Sequence, residues 1–172
     1  MLLAQVLVLG FFPAAMAYAA ASDLLTMTIS NKLSIALVLG FYVVALLLGM
    51  PATAIGIHSA AGFVVLAVSF SMFAAGWIGG GDAKLVAAIA LWLGFDQLMS
   101  YLILASIFGG ILTFTLLAVR RYALPIALQE QQWAVRLHAP GAGVPYGIAL
   151  AAAALITYPH GAVMKALAHL AL

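Results

Sequence analysis

The sequence has no cysteine among its 172 residues. This absence excludes a disulfide framework, thiol catalysis, an iron–sulfur site and a thiolate zinc site. Histidine could still bind a metal, but the histidines lack the spacing of a metal site. They are His58, His138, His160 and His169. We therefore expect no metal and no other cofactor.

Charged residues are also scarce, at 6% of the chain, while 67% of the residues are hydrophobic. Soluble domains are about 25% charged and about 45–50% apolar, because water must solvate their surfaces. A soluble globular domain is therefore excluded, and lipid must be the main solvent. The six basic residues are too few and too scattered for a nucleic-acid surface, so nucleic acid is not an expected partner.

Long uncharged stretches define the first three predicted spans. Residues 1–22 and 33–81 contain no charged side chain, and the second stretch has a turn signal at Gly49-Met50-Pro51-Ala52. Since about 20 apolar residues cross a bilayer as a helix, we predict spans at 1–22, 33–49 and 54–77. No Lys or Arg precedes Asp23, so the first span lacks the basic region of a cleavable signal peptide and is expected to be retained.

The stretch 85–119 is interrupted at Gly94-Phe95-Asp96-Gln97 and is compatible with two spans or with one tilted span. The positive-inside rule favours two spans, because they keep most basic residues on one face. These residues are Lys32, Lys84, Arg120, Arg121 and Arg136. The fourth span, 84–95, is then roughly 18 Å long, well short of a hydrocarbon core of ~30 Å.

With a polar linker at 120–142 and a last span at 143–158, the chain is predicted to be an all-α polytopic membrane protein. It has about six transmembrane helices in a single domain, 1–172. The positive-inside rule places the basic face in the cytoplasm and both termini outside. We interpret Trp77, Trp92, Trp133 and the six tyrosines as residues of the aromatic belts and the four histidines as interfacial.

Two aspartates are predicted to lie on the cytoplasmic side at similar depth: Asp23 ends the first span and Asp82 begins the fourth. An ionisable group at membrane depth is costly, and its default interpretation is functional. Two carboxyls a few ångströms apart cannot both ionise, so one can activate water while the other donates a proton, as in aspartic proteases. Alternatively, each aspartate only caps a helix. Asp96 and Glu130 are predicted to lie elsewhere.

The residues next to Asp82 have their own predicted roles. Three glycines, Gly79, Gly80 and Gly81, remove three Cβ atoms and allow a sharp turn and the close approach of an extended substrate peptide. Such pairing satisfies backbone groups that are freed when a membrane helix unwinds. Lys84 could favour the anionic form of Asp82 or contact the substrate, or it could be a snorkelling lysine.

Three segments carry a resemblance to a known family, the prepilin peptidases, which are membrane aspartic endopeptidases. Gly79-Gly80-Gly81-Asp82-Ala83-Lys84-Leu85 resembles their GxGD-x-K motif. Asp23-Leu24-Leu25-Thr26-Met27-Thr28-Ile29-Ser30-Asn31 is similar to their other catalytic segment, in which an aspartate precedes Ile-Pro-Asn, although Ser30 stands where proline is usual. Val144-Pro145-Tyr146-Gly147 resembles a third segment.

The resemblance implies that Asp23 and Asp82 are the catalytic pair. It further implies cleavage of a short basic leader from prepilins and pseudopilins, whose apolar helix lies in the bacterial inner membrane. Substrate binding is expected at the three glycines, Lys84, Pro145, Tyr146 and Gly147. The length resembles that of the short branch found in tight-adherence (Flp) pilus systems. Because cysteine is absent and the loop after Asp23 is minimal, we expect no methyltransferase activity.

A second class of function uses the same aspartates. In a small transporter or assembly subunit, Asp23 and Asp82 would relay protons or bind a cation. Against this, both aspartates are predicted to lie toward one face, and no acid or base near the bilayer midplane continues a path. A third possibility is a structural subunit in which they only cap helices.

Overall fold

The computed structural model describes residues 2–170, which form helices joined by turns and contain no β-strand. The first helix runs from Leu2 to Thr26 as α1 (Leu2–Val6), a π-helical turn (Leu7–Phe11) and α2 (Phe12–Thr26). It is followed by α3 (Asn31–Leu47), α4 (Ala52–Ala74) and the long α5 (Gly80–Val119). The predicted all-helical fold is confirmed. The chain ends, for which a location outside was predicted, lie outside the described residues.

The second part of the chain consists of shorter elements. A linker contains α6 (Ile126–Gln129) and α7 (Gln132–His138). Then α8 (Tyr146–Thr157), a 3₁₀ turn (Tyr158–His160) and α9 (Ala162–Leu170) follow almost without a break.

Four helical stretches are long and apolar enough to cross a membrane: Leu2–Thr26, Ala52–Ala74, Gly80–Val119 and Tyr146–His169. The shorter α3 is also apolar. These helices indicate a membrane protein. The predicted limits of the last span, 143–158, were wrong, because Pro145 precedes the helix and the turn at Tyr158–His160 interrupts it without ending it.

Helix α5 is interrupted at Gly94, which has φ 65° and ψ −179°. The interruption removes the partner that the Leu91 carbonyl would have in a continuous helix, and the buried His58 ring donates a hydrogen bond to this carbonyl from Nδ1 at 2.9 Å. The prediction that His58 is interfacial was therefore wrong. A Cβ at position 94 would lie 2.9 Å from the same ring.

Contacts on both sides of Gly94 show that the chain reverses there. Residues 80–93 run antiparallel to α4, since the Ser69 hydroxyl donates to the Ala83 carbonyl at 3.1 Å near one end and His58 meets Leu91 near the other. Residues 95–119 return, because the hydroxyls of Thr113 and Tyr146 are 3.0 Å apart next to the start of α8. Both ends of α5 therefore lie at the same end of the bundle, which we call the aspartate end.

The core surrounds residues 80–93. Trp92 is fully buried among Phe12, Phe41 and Tyr158, and its indole N–H donates to the Leu37 carbonyl at 2.9 Å. The prediction of Trp92 as an interface-belt residue was wrong, because neighbouring helices enclose this short segment on all sides. Trp77 is exposed, as expected for a residue of the aromatic belt.

Candidate active site

Asp23 lies in the last turn of α2 and is buried, with 6% of its surface exposed. The helix ends directly after it because Met27 adopts a left-handed conformation, φ 55°, and donates its backbone N–H to the Asp23 carbonyl at 2.8 Å. The Ser22 hydroxyl donates to the Thr28 carbonyl at 2.9 Å and braces the turn. The local sequence thus holds the carboxyl at a fixed point where the chain leaves the helix.

Asp82 is the third residue of α5, after Gly79, which is extended (φ −71°, ψ 144°) at the N-cap. Its carboxyl folds back over Gly79, so that a Cβ there would lie 3.0 Å from Oδ2. This is the position from which an acidic side chain reaches the free N–H groups at a helix start, where the helix dipole also favours negative charge. Asp82 is half-buried.

Two glycines and one isoleucine bring the aspartates together. The Gly147 N–H donates to Asp23 Oδ2 at 2.7 Å, and a Cβ at position 147 would lie 2.8 Å from that oxygen and 3.0 Å from Ile29 Cδ1. On its other side, buried Ile29 meets Gly81, where a Cβ would lie 3.2 Å from Ile29 Cβ. The starts of α5 and α8 are therefore packed around Ile29, and Asp23, which is hydrogen-bonded to Gly147, lies within electrostatic range of Asp82.

The other predicted site residues are found around this pair. Gly80 faces α4, where its Cβ would lie 3.1 Å from the Phe73 ring. Pro145 is the N-cap of α8. Tyr146 is 41% exposed, hydrogen-bonds Thr113, and packs its ring against Gly109, where a Cβ would lie 2.9 Å from Cε1. The space that a side chain at position 80 or 81 would occupy is thus already filled by other residues of this chain.

Lys84 joins the second turn of α5 to the start of α3. Its ammonium group donates a hydrogen bond to the side-chain oxygen of Asn31. Asn31 itself belongs to the segment that follows Asp23, so this bond links the two aspartate-bearing regions a second time.

Ser30, the departure from the family pattern, is the N-cap of α3, and its hydroxyl accepts a hydrogen bond from the Leu33 N–H at 3.3 Å. Its φ of −70° is one that proline also adopts. The serine therefore keeps the backbone direction of the usual proline and adds a side-chain cap.

Two arginines support the site in a way that sequence reasoning missed. Arg120 donates to the Leu137 carbonyl at 2.7 Å and to the Gly143 carbonyl at 2.8 Å. Arg136 donates to the Leu25 carbonyl at 2.9 Å, at the end of α2. In the sequence these arginines indicated only the orientation of the chain in the membrane. In the structure they hydrogen-bond the 120–142 linker to the end of α2 and to the segment that precedes α8.

Tyr101 was also missed. It is fully buried within electrostatic range of Asp82, and its hydroxyl has no hydrogen-bond partner among residues 2–170. The interpretation of the tyrosines as interface-belt residues was wrong for Tyr101 and Tyr158, because both are buried among helices. The same described residues contain no group of three or more His, Cys, Asp or Glu side chains that could hold a metal ion.

The model of the type IV leader peptidase family matches residues 10–114, more than half of the chain. The chain belongs to this family. No curated protein and no solved structure matches it. The range matched in this leader peptidase family member includes Asp23, the three glycines and Asp82, and it ends before Gly147. The family indicates a protease, and the resemblance to prepilin peptidases is confirmed at the level of the family.

Proposed function

We propose that this member of the leader peptidase family is a membrane aspartic endopeptidase that removes the N-terminal leader of prepilins and pseudopilins. The observation that carries the proposal is that Asp23, which accepts the Gly147 N–H, lies within electrostatic range of Asp82, with Gly147 and Gly81 packed on either side of Ile29. Two carboxyls in one partly buried site are suited to shared-proton chemistry. The family match supports the peptidase class.

In the proposed reaction, the charged carboxylate takes a proton from water while the water oxygen attacks the scissile carbonyl carbon. The protonated carboxyl polarises that carbonyl and then gives its proton to the leaving amine as the C–N bond breaks. Because the Gly147 N–H occupies Oδ2 of Asp23, the other oxygen of Asp23 stays free for water or for Asp82. The side chains of Asp23 and Asp82 suffice for both proton transfers, and no cofactor takes part.

The proposal includes six membrane crossings. The reversal at Gly94 divides α5 into two, of which residues 80–93 span about 21 Å, shorter than the ~30 Å hydrocarbon core. Asp82 would then lie below the membrane surface. Five of the six basic residues belong to the aspartate end, which supports a cytoplasmic site and termini outside.

Substrate contact is proposed for Gly79, Gly80, Gly81, Lys84, Pro145, Tyr146 and Gly147. The extended backbone of Gly79 and the exposed ring of Tyr146 support this role. Assignment to the tight-adherence branch, without methyl transfer, is also a proposal. It is supported by the four-residue turn between α2 and α3 and by the absence of cysteine.

The decisive experiment replaces each aspartate by asparagine. Asp23→Asn and Asp82→Asn should each abolish leader cleavage of a co-expressed prepilin while the protein remains folded and inserted, because a single carboxyl cannot perform both proton transfers. Asp96→Asn is the matched control and should cleave normally, since Asp96 is exposed next to the Gly94 reversal at the other end of the bundle. Substantial cleavage by either site variant would contradict the proposal.

A further inference from the structure

A groove of about 760 Å³ opens between α3 and α4 and has residues 80–93 of α5 as its floor. It exists because α3 and α4 pack mainly against α5 and little against each other. We call it the α3–α4 groove. Its α3 wall includes Asn31, Val38 and Tyr42, and its α4 wall includes Ser59 and Phe63.

The α3–α4 groove has the dimensions of a helix-binding surface. Its α3 wall follows the i, i+3, i+4 spacing of one helix face from Asn31 to Tyr42, about 17 Å or three helical turns. The small residues Gly62, Ala87 and Ala88 line it and allow a helix backbone to approach closely. A hydrogen bond of 2.9 Å between Tyr42 and Ser59 crosses it at the end away from the aspartates.

The groove is continuous with the catalytic pair. At the aspartate end it is lined by Asn31 and Lys84, which hydrogen-bond each other. Lys84 is two residues from Asp82, and Asn31 is two residues from Ile29, against which Gly81 and Gly147 pack. Within residues 2–170, Lys84 is the only charged residue that lines the groove, which favours an occupant that is uncharged over about three turns.

We propose that the α3–α4 groove binds the apolar membrane helix of the substrate. The N-terminal end of that helix lies at Asn31 and Lys84, so that the leader preceding it extends across Asp23 and Asp82. This inference rests on the proposed function and adds to it the place where the substrate is held.

The test compares two substrates: a full-length prepilin in membranes, and a short peptide with the leader and the scissile bond but without the apolar helix. In Val38→Trp the indole fills the groove, and the ratio of kcat/KM for prepilin to kcat/KM for peptide should fall at least tenfold. Val68→Trp is the matched control, since Val68 is exposed on α4 and does not line the groove. Its ratio should equal that of the wild type.

Cross-linking provides a second measurement that does not depend on turnover. Because the chain has no cysteine, Val38→Cys and Val68→Cys can be introduced singly into the Asp82→Asn protein and oxidised with a prepilin that carries one cysteine in its apolar helix. A disulfide should form at position 38 and not at position 68.

The outcomes separate this inference from the proposed function. Two results would show that the groove holds lipid. The wild type cleaves both substrates and Val38→Trp leaves the ratio of their kcat/KM values unchanged, or positions 38 and 68 cross-link equally. In either case the inference is wrong while the peptidase proposal stands. If the wild type cleaves neither substrate, both fail.

Discussion

Gly147 and Asp23 are 124 positions apart in the sequence, and the Gly147 backbone N–H donates to Asp23 Oδ2 at 2.7 Å. A hydrogen bond to a charged group contributes about 1.5–3 kcal/mol, and this one also fixes which carboxyl oxygen stays free. Only glycine permits it, because a Cβ would lie 2.8 Å from the same oxygen and 2.9 Å from Asp23 Cβ.

Gly147→Ala is therefore expected to displace the Asp23 carboxyl and to reduce kcat strongly, by about a hundredfold if the carboxyl moves by about 1 Å. The measurement is prepilin cleavage per unit of folded, detergent-extracted protein. Gly110→Ala is the matched control, since a Cβ at position 110 meets nothing within 4 Å and alanine favours the helix. Equal activity of the two variants would show that the contact with Gly147 does not position Asp23.

At the residue scale, acidic residues at membrane depth and the family resemblance singled out Asp23 and Asp82, and the resemblance alone singled out the segment of Gly147; their catalytic and substrate-binding roles stay predictions. The bond between Gly147 and Asp23 was not predictable, since it depends on how α8 packs on α2. The wrong interpretations of Trp92 and His58 have the same origin. Residue type indicates an affinity for the membrane interface, but burial is decided by which neighbouring helices cover the position.

Among the secondary-structure elements, the interruption of α5 decides the arrangement of the whole bundle. The sequence indicated this interruption by the stretch Gly94-Phe95-Asp96-Gln97, and the structure places it at Gly94. The limits of the last helix were less predictable, because a Pro-containing stretch can end a helix or continue through a 3₁₀ turn, as Tyr158–His160 does. That choice depends on packing, here on buried Tyr158, whose hydroxyl donates to the Val8 carbonyl at 3.0 Å.

Gly94→Ala tests how strongly the reversal depends on glycine. At φ 65° and ψ −179°, a backbone region that essentially only glycine adopts, alanine costs about 1–3 kcal/mol, and its Cβ would also lie 2.9 Å from the His58 ring. Gly49→Ala is the control for a positive φ in open space, since Gly49 has φ +63° and nothing within 4 Å. Thermal unfolding in detergent should show a larger loss of stability for Gly94→Ala than for Gly49→Ala. Equal losses would mean that neither the extended ψ of Gly94 nor its packing against His58 adds to the cost of a positive φ.

For the whole molecule, the proposed orientation depends on the distribution of a few charges. Lys84, Arg120 and Arg136 make their hydrogen bonds at the aspartate end, and Lys32 and Arg121 are adjacent in sequence to residues that lie there. Lys165 lines a cavity of about 510 Å³ with the turn between α3 and α4, at the opposite end. The aspartate end is therefore the one that the positive-inside rule assigns to the cytoplasm.

Cysteine labelling tests this orientation and the number of crossings together. Thr28→Cys, Tyr122→Cys and Ala168→Cys are exposed positions that leave every basic residue in place, and the chain has no cysteine of its own to react. Two crossings within α5 return Tyr122 to the side of Thr28. An impermeant thiol reagent should then label both only in inverted vesicles and should label position 168 in intact spheroplasts. If α5 crossed the membrane once, Thr28 and Tyr122 would label from opposite faces, and position 168 would label from the same face as Thr28.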